Sequence, residues 1–457
     1  MLGSWKQVDM AAESPDKALL YLAVPLMISL FFQNLYSFAN TIFVSWMGEQ
    51  PLAAISLAVP LTYVALSLGK GVAMGSAVLI GYARGAGDHE QAERIGEVVL
   101  PLMIAVMALF FPLLLPGACQ SFYQVFGADS ELAQEAYWFT FWLVVSFPVM
   151  GYAMAAEAML MAHGDTVTPM KGMILGNIVN FCLDPLLIFV LDFGLTGAGL
   201  ATLAGQSTAA IYIGWRWAKR QHKRLSACPA AAMMGYWRQI GSQGAFVTAG
   251  YLISPAGLML MNGILAQWGA AAIGAWNMMS RLEMMVMLPV MGIGNGLAIF
   301  TSYNLGQGSV DRIRQGLTAF FRIAWSLTGL AAVVFALWPG ELLGVFKPGG
   351  GVAELASLAV RASAAALVFL PVLFAVNGLA QGLKKPIFLV ITGFCYIIIL
   401  RVPLAWVLSG SFGVSGVYWA HPAAAAGAAL VAAGLIARLM RKISCTGGVN
   451  DGSNMGT

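Results

Sequence analysis

The sequence predicts an all-α polytopic membrane protein of about twelve transmembrane helices, arranged as two pseudo-two-fold related six-helix lobes. Three observations predict it. The 457-residue chain is 59% hydrophobic and only 10% charged, whereas a soluble protein carries about 25% charged residues; its mean hydropathy is +0.79. Apolar runs of the roughly 20 residues needed to cross a bilayer recur from end to end. The second half of the chain also repeats the first.

The spans begin near Leu19, Leu52, Val98, Gln134, Met170 and Gly194 in the first half. In the second they begin near Ile240, Ala271, Leu317, Leu358, Pro386 and Gly413. Residues 1–18 are polar or mixed and read as a cytoplasmic tail. The apolar run that follows them is too long for the core of a signal peptide. Residues 19–217 and 240–442 form the two lobes, and 218–239 is a basic cytoplasmic linker. The end 443–457, with its polar and glycine-rich CTGGVNDGSNMGT, reads as a disordered tail.

Charge sets the orientation. With a cytoplasmic N-terminus, all of the 24 Lys and Arg residues fall on the inner side except Lys70, Arg281, Lys347, Arg361 and Arg401. The positive-inside rule then places both termini in the cytoplasm of a multi-pass plasma (inner) membrane protein, which requires an even number of spans. The stretch AKRQHKR obeys the same rule and needs no nucleic-acid partner. The 5 cysteines and 4 histidines are scattered without metal-ligand spacing.

The repeat is carried by several matches in order. GVAMGSAVLIGYARGAG (71–87) aligns with GIGNGLAIFTSYNLGQG (292–308), pairing Gly71, Gly75, Tyr82, Gly85 and Gly87 with Gly292, Gly296, Tyr303, Gly306 and Gly308. FGLTGAGLA (193–201) pairs with FGVSGVYWA (412–420) at nearly the same offset. Six spans return the chain to its starting side, so both halves share one orientation, related by an axis along the membrane normal. The runs GKGVAMG and GIGNG follow no strand and lack Gly-Lys-Ser/Thr, so they are not phosphate loops. They fit close helix packing instead, and no cofactor motif is present.

Several phrases together resemble the multidrug and toxic compound extrusion (MATE) transporters: QNLYSFANTIFVSWMG, PLAAISLAVPL, YARGAGD, HGDTVTPM and NIVNFCLDPLLIF in the first half, then WNMMSRLEMMVMLPVMGIGNG and YNLGQG. The resemblance covers nearly the whole chain. It implies twelve helices in two lobes and export of organic compounds in exchange for H⁺ or Na⁺. It also maps the family's N-lobe ion site onto Asn180, Asp184 and Thr202. Asn40 stands where many members carry a second carboxylate. Spans seven (GAFVTAGYLISPAGL) and ten (ALVFLPVLFAVNGL) hold no acid, so the second lobe reads as poorly equipped for the coupling ion.

The residues support a polar site in their own right. Asn177, Asn180 and Asp184 are spaced i, i+3, i+7 on one helix face, as are Gln33, Tyr36 and Asn40. Ionisable groups within spans face the bundle interior or water. Asp184 either hydrogen-bonds neighbouring helices near the break at Pro185 or exchanges a proton, or anchors Na⁺. Lys70 lies about 12 residues into span two, roughly 18 Å, and Asp184 about 14 residues into span five, roughly 21 Å. An ion pair between them is possible, with snorkelling or cavity hydration of Lys70 as the plainer reading. Glu157 and Glu283 are candidate contacts for cationic substrates or structural pairing partners. The 25 Met and 25 Phe residues suit an adaptable apolar cavity, although helix packing and lipid contact account for most of them.

These readings converge on a secondary antiporter that exports amphipathic or cationic organic compounds and works as a monomer. A flippase for lipid-linked saccharides is the nearest alternative, but its wide basic cavity is not matched by three intramembrane cations. An intramembrane enzyme lacks a catalytic constellation such as His-Glu-x-x-His or Gly-x-Ser-x-Gly.

Overall fold

The computed structural model describes residues 10–219, 229–347 and 349–450. In the first half the helices are α1 (Pro15–Ser45), α2 (Glu49–Gly85), α3 (His89–Ala108), α4 (Pro116–Val125), α5 (Ser130–Ala162), α6 (Val167–Pro185) and α7 (Gly194–Ala218). In the second they are α8 (Ala230–Leu265), α9 (Ala270–Gly306), α10 (Val310–Leu337), α11 (Pro339–Leu343), α12 (Gly350–Gly382), α13 (Ile387–Phe394) and α14 (Val402–Asn450). α6 continues as a π-helical turn over Leu186–Val190, and α13 as one over Cys395–Arg401. No strand occurs among the described residues.

Nine helical stretches among the described residues are long and apolar enough to span a membrane. α3 and α7 run beside them, and Gly413 (φ 61°, ψ −145°) divides α14 into two helices. The twelve expected spans are thereby accounted for. Trp46, Val190, Ile211, Met259, Leu330 and Leu430 are exposed, a surface suited to hydrocarbon and not to water. The repeat extends to the short elements: α4 and α11 both open on Pro-Gly after the third span of their half. Proline at the first helical turn costs no hydrogen bond there.

The described chain divides into two units. The first holds residues 28–84 and 88–248, the second residues 10–27, 85–87 and 249–450. This division differs from the lobes expected at 19–217 and 240–442 at two helix starts and at residues 85–87, which go with the second unit. The beginning of α1 belongs with the second unit and that of α8 with the first.

The repeated glycines explain this exchange. A Cβ added at Gly71 would lie 2.6 Å from the Gly244 carbonyl oxygen, and one at Gly75 3.0 Å from that of Ile240, both on α8. Their repeat mates do the same for α1. A Cβ at Gly292 would lie 2.7 Å from Met27 Cγ, and Gly296 faces Leu19 and Leu22. Between helices in lipid, hydrophobic burial gives no driving force, so close approach of this kind must hold them together. Polar ties reinforce each start. Trp237 Nε1 donates to the Val98 carbonyl at 3.1 Å, and Arg312 Nη2 donates to the carbonyls of Met10 (2.9 Å) and Glu13 (2.7 Å).

Part of the 218–239 linker, residues 220–228 with His222, lies outside the described residues; from Ala230 the chain is already helical. At the other end α14 runs on to Asn450, into the segment that reads as a disordered tail. Extending an existing helix adds a hydrogen bond per residue without a new nucleation cost.

Candidate functional site

The polar face of α6 is set by how closely α7 approaches it. A Cβ added at Gly176 would stand 2.5 Å from the Gly205 carbonyl oxygen. One at Gly205 would stand 2.7 Å from the Gly176 oxygen and 2.7 Å from Asn180 Cβ. Only glycine permits this crossing, and it seats Asn180 directly against α7. Further along, a Cβ added at Gly197 would lie 2.7 Å from the Leu187 carbonyl oxygen in the π turn. Pro185 has no N–H to continue the α-helical ladder, and the wider turn begins immediately after it. π turns of this kind recur at functional sites. Asp184 stands immediately before that proline.

Asp184 is 1% exposed and Asn180 3%. Neither carboxylate oxygen of Asp184 has a hydrogen-bond partner, and neither side-chain polar atom of Asn180 has one. Asn177 Nδ2, Asn40 Oδ1 and Gln206 Oε1 are buried and unpartnered as well. Thr202 donates to the Ala198 carbonyl at 2.9 Å. Its oxygen therefore accepts from the Tyr36 hydroxyl, 3.2 Å away, and Tyr36 lies within electrostatic reach of Asp184. α1, α6 and α7 thus supply a phenol, a hydroxyl, amides and a carboxyl to one unit.

Buried polar atoms are nearly always paired. A carboxylate buried without a hydrogen-bond partner would cost several kcal/mol or more as a bare ion. A proton, or a cation taking hard oxygen ligands, would offset that cost. No group of three or more His, Cys, Asp or Glu residues suited to a metal exists among the described residues.

The other sequence-predicted residues are placed as follows. Tyr36 and Asn40 stand one turn apart on α1, and Gln33 is half-buried on the same helix. Lys70 is half-buried on α2 but does not bond Asp184, whose oxygens are both unpartnered; the ion pair that their matching depths would allow does not form in this structure. Glu157 is half-buried on α5. Glu283 lies in the second unit, bonded to His421 and Ser363, so it is not part of the Asp184 cluster. Gln206, one turn beyond Thr202 on the apolar helix α7, is a member that the sequence reading misses. Its spacing of four from Thr202 is the signal that marks it.

A family model described as MatE matches residues 25–186 and again 247–407, so one model fits each half in turn. The chain is 25% identical over 413 residues to the FAD transporter of Shewanella oneidensis, covering 89% of this chain and 91% of that protein. It is 25% identical to the multidrug export protein MepA of Staphylococcus aureus, covering 93% and 94%. Among solved structures, a MATE protein in the bent conformation superposes with a TM-score of 0.90 at 22% identity, over 97% of this chain and 99% of that one. A MOP superfamily transporter from Pyrococcus furiosus, described as having a binding pocket of reverse polarity, gives 0.87 at 22% identity over 96% and 98%. With both halves fitted by the one model and the two-lobed helical fold shared throughout, the chain belongs to the MATE family of membrane transporters, which are not enzymes.

Proposed function

We propose that this transporter is a secondary active antiporter of the plasma (inner) membrane, exporting amphipathic or cationic organic compounds in exchange for H⁺ or Na⁺ bound at Asp184. The observation that carries the reading is the buried Asp184 carboxyl with both oxygens unpartnered, beside Asn180, Thr202 and Tyr36. The names of the relatives, for multidrug export and for FAD transport, support small organic cargo. Flux of one fluorescent organic cation in proteoliposomes, with H⁺ and Na⁺ gradients imposed separately, tests it. One gradient should drive export and the other should not; transport indifferent to both overturns antiport.

Both termini and the 218–239 segment are cytoplasmic in this reading, which rests on the distribution of Lys and Arg. His222→Cys should react with a membrane-impermeant maleimide only after the cytoplasmic face is opened. Labelling from the outside alone reverses the orientation.

Asn40→Asp should change coupling without unfolding the protein. A second carboxyl near Asp184 resists joint ionisation, and a bound cation offsets that repulsion. Transport should depend more steeply on pH or on Na⁺ than in the parent. Identical profiles in folded protein would mean that position 40 does not face the ion site.

A further inference from the structure

The second unit holds a buried charged network that the antiport reading does not use. Glu283 on α9 accepts from Ser363 Oγ on α12, and its Oε2 lies 2.6 Å from His421 Nε2 on α14. The other ring nitrogen, Nδ1, is 2.9 Å from the Tyr396 hydroxyl in the π turn after α13. Arg401, at the end of that turn, stacks its guanidinium 4.6 Å from the ring centre of Trp276 and 5.7 Å from that of Tyr396. Trp276 in turn meets the His421 ring edge-on at 5.7 Å.

The repeat gives this network its meaning. In the register that pairs FGLTGAGLA with FGVSGVYWA, the next residue after each phrase is Thr202 in one half and His421 in the other. The same register sets Asn177 opposite Tyr396. The first unit therefore has at this place a polar cluster with several unpartnered atoms, Asn177 Nδ2 among them, and the second a hydrogen-bonded one around an imidazole.

We propose that Glu283, His421 and Tyr396 form a second proton-binding site, with Arg401 as a built-in cation that competes with the bound proton. In the unprotonated site, Nε2–H donates to the Glu283 carboxylate and Nδ1 accepts from the Tyr396 hydroxyl. On uptake of one proton, Nδ1–H donates to the Tyr396 oxygen, whose own hydrogen turns away, while Nε2–H stays on Glu283. Both states satisfy both ring nitrogens, unlike a purely structural histidine with one fixed partner.

His421 and Trp276 are fully buried, so a proton is a ligand that fits without opening the core. Glu283 is the least enclosed member of the hydrogen-bonded pair, its side chain 17% exposed against 1% for that of His421. The charged groups acting on His421 are Glu283 from α9 and Arg401 from the π turn. The titratable Tyr396 faces it from that same turn, while Ser363 on α12 is neutral. Glu283 and Arg401 balance each other, and protonation takes the site from neutral to a net single positive charge. Arg401 therefore opposes uptake and Glu283 favours it.

The chain has 4 histidines, so selective isotope labelling of histidine rings in the purified full-length protein yields few signals, and His421→Gln assigns the one of interest. That signal should titrate as a single proton. Arg401→Met should move its midpoint to higher pH, and Glu283→Gln to lower pH, by about one unit or more each. A His421 signal unchanged between about pH 4 and pH 9, or a midpoint indifferent to both substitutions, overturns the proposal. Because the ring is read without substrate or gradient, its failure leaves the antiport reading standing, and loss of antiport leaves the titration intact.

Discussion

Asp184→Asn is expected to reduce gradient-driven export to the level of protein-free liposomes while leaving a folded protein. Asparagine keeps the volume and polarity of the side chain but carries no charge and takes up no proton in the working range. No hydrogen bond to the Asp184 carboxyl is lost, because neither oxygen has a partner, so the thermal midpoint without ion should change little. The ion-dependent part should vanish. A ligand that binds only the folded state at about 100 times its Kd stabilises by about 2.7 kcal/mol. If Na⁺ is the coupling ion, saturating Na⁺ raises the midpoint of the parent and not of the variant. If H⁺ is, the parent's transport follows the pH gradient and the variant's does not. Parental export rates in the variant would make Asp184 structural and place the ion elsewhere.

Much of this site is legible in the amino-acid sequence. An aspartate inside NIVNFCLDPLLIF is conspicuous because hydrocarbon penalises it, and the i, i+3, i+7 spacing puts Asn177 and Asn180 on its face. The repeat is legible because glycines that must permit backbone contact leave the same letters in both halves. Their partners are not legible: nothing in Gly71 or Gly292 reveals that one is fitted to α8 and the other to α1. The lack of acids in spans seven and ten makes the second lobe read as poorly equipped. Within that lobe the fold gathers Glu283, Ser363, Tyr396, Arg401 and His421 from α9, α12, the π turn and α14. Each of these looks isolated along the chain, since helix periodicity reports only neighbours three or four positions apart. Partners brought together by tertiary packing leave no such trace.

Gly205→Ala is the substitution expected to damage both the fold and the site, and for one reason. Its new methyl would lie 2.7 Å from the Gly176 carbonyl oxygen and 2.7 Å from Asn180 Cβ, distances that real Cβ atoms do not tolerate. The first obstacle is backbone and cannot rotate away, so α6 and α7 must separate. Overpacking of this kind costs about 1–3 kcal/mol, more than the gain of about 0.5–1 kcal/mol that alanine brings over glycine inside a helix. Separation would also draw Asn180 away from α7, against which Gly205 seats it. The thermal midpoint should therefore fall, and export under a fixed gradient should fall with it. Gly263→Ala is the control: that glycine lies within α8, and an added Cβ meets nothing within 4 Å. It should leave transport unchanged and stability equal or slightly higher. If Gly205→Ala matched this control in both measurements, the close crossing of α6 and α7 would not be what holds the proposed ion site together.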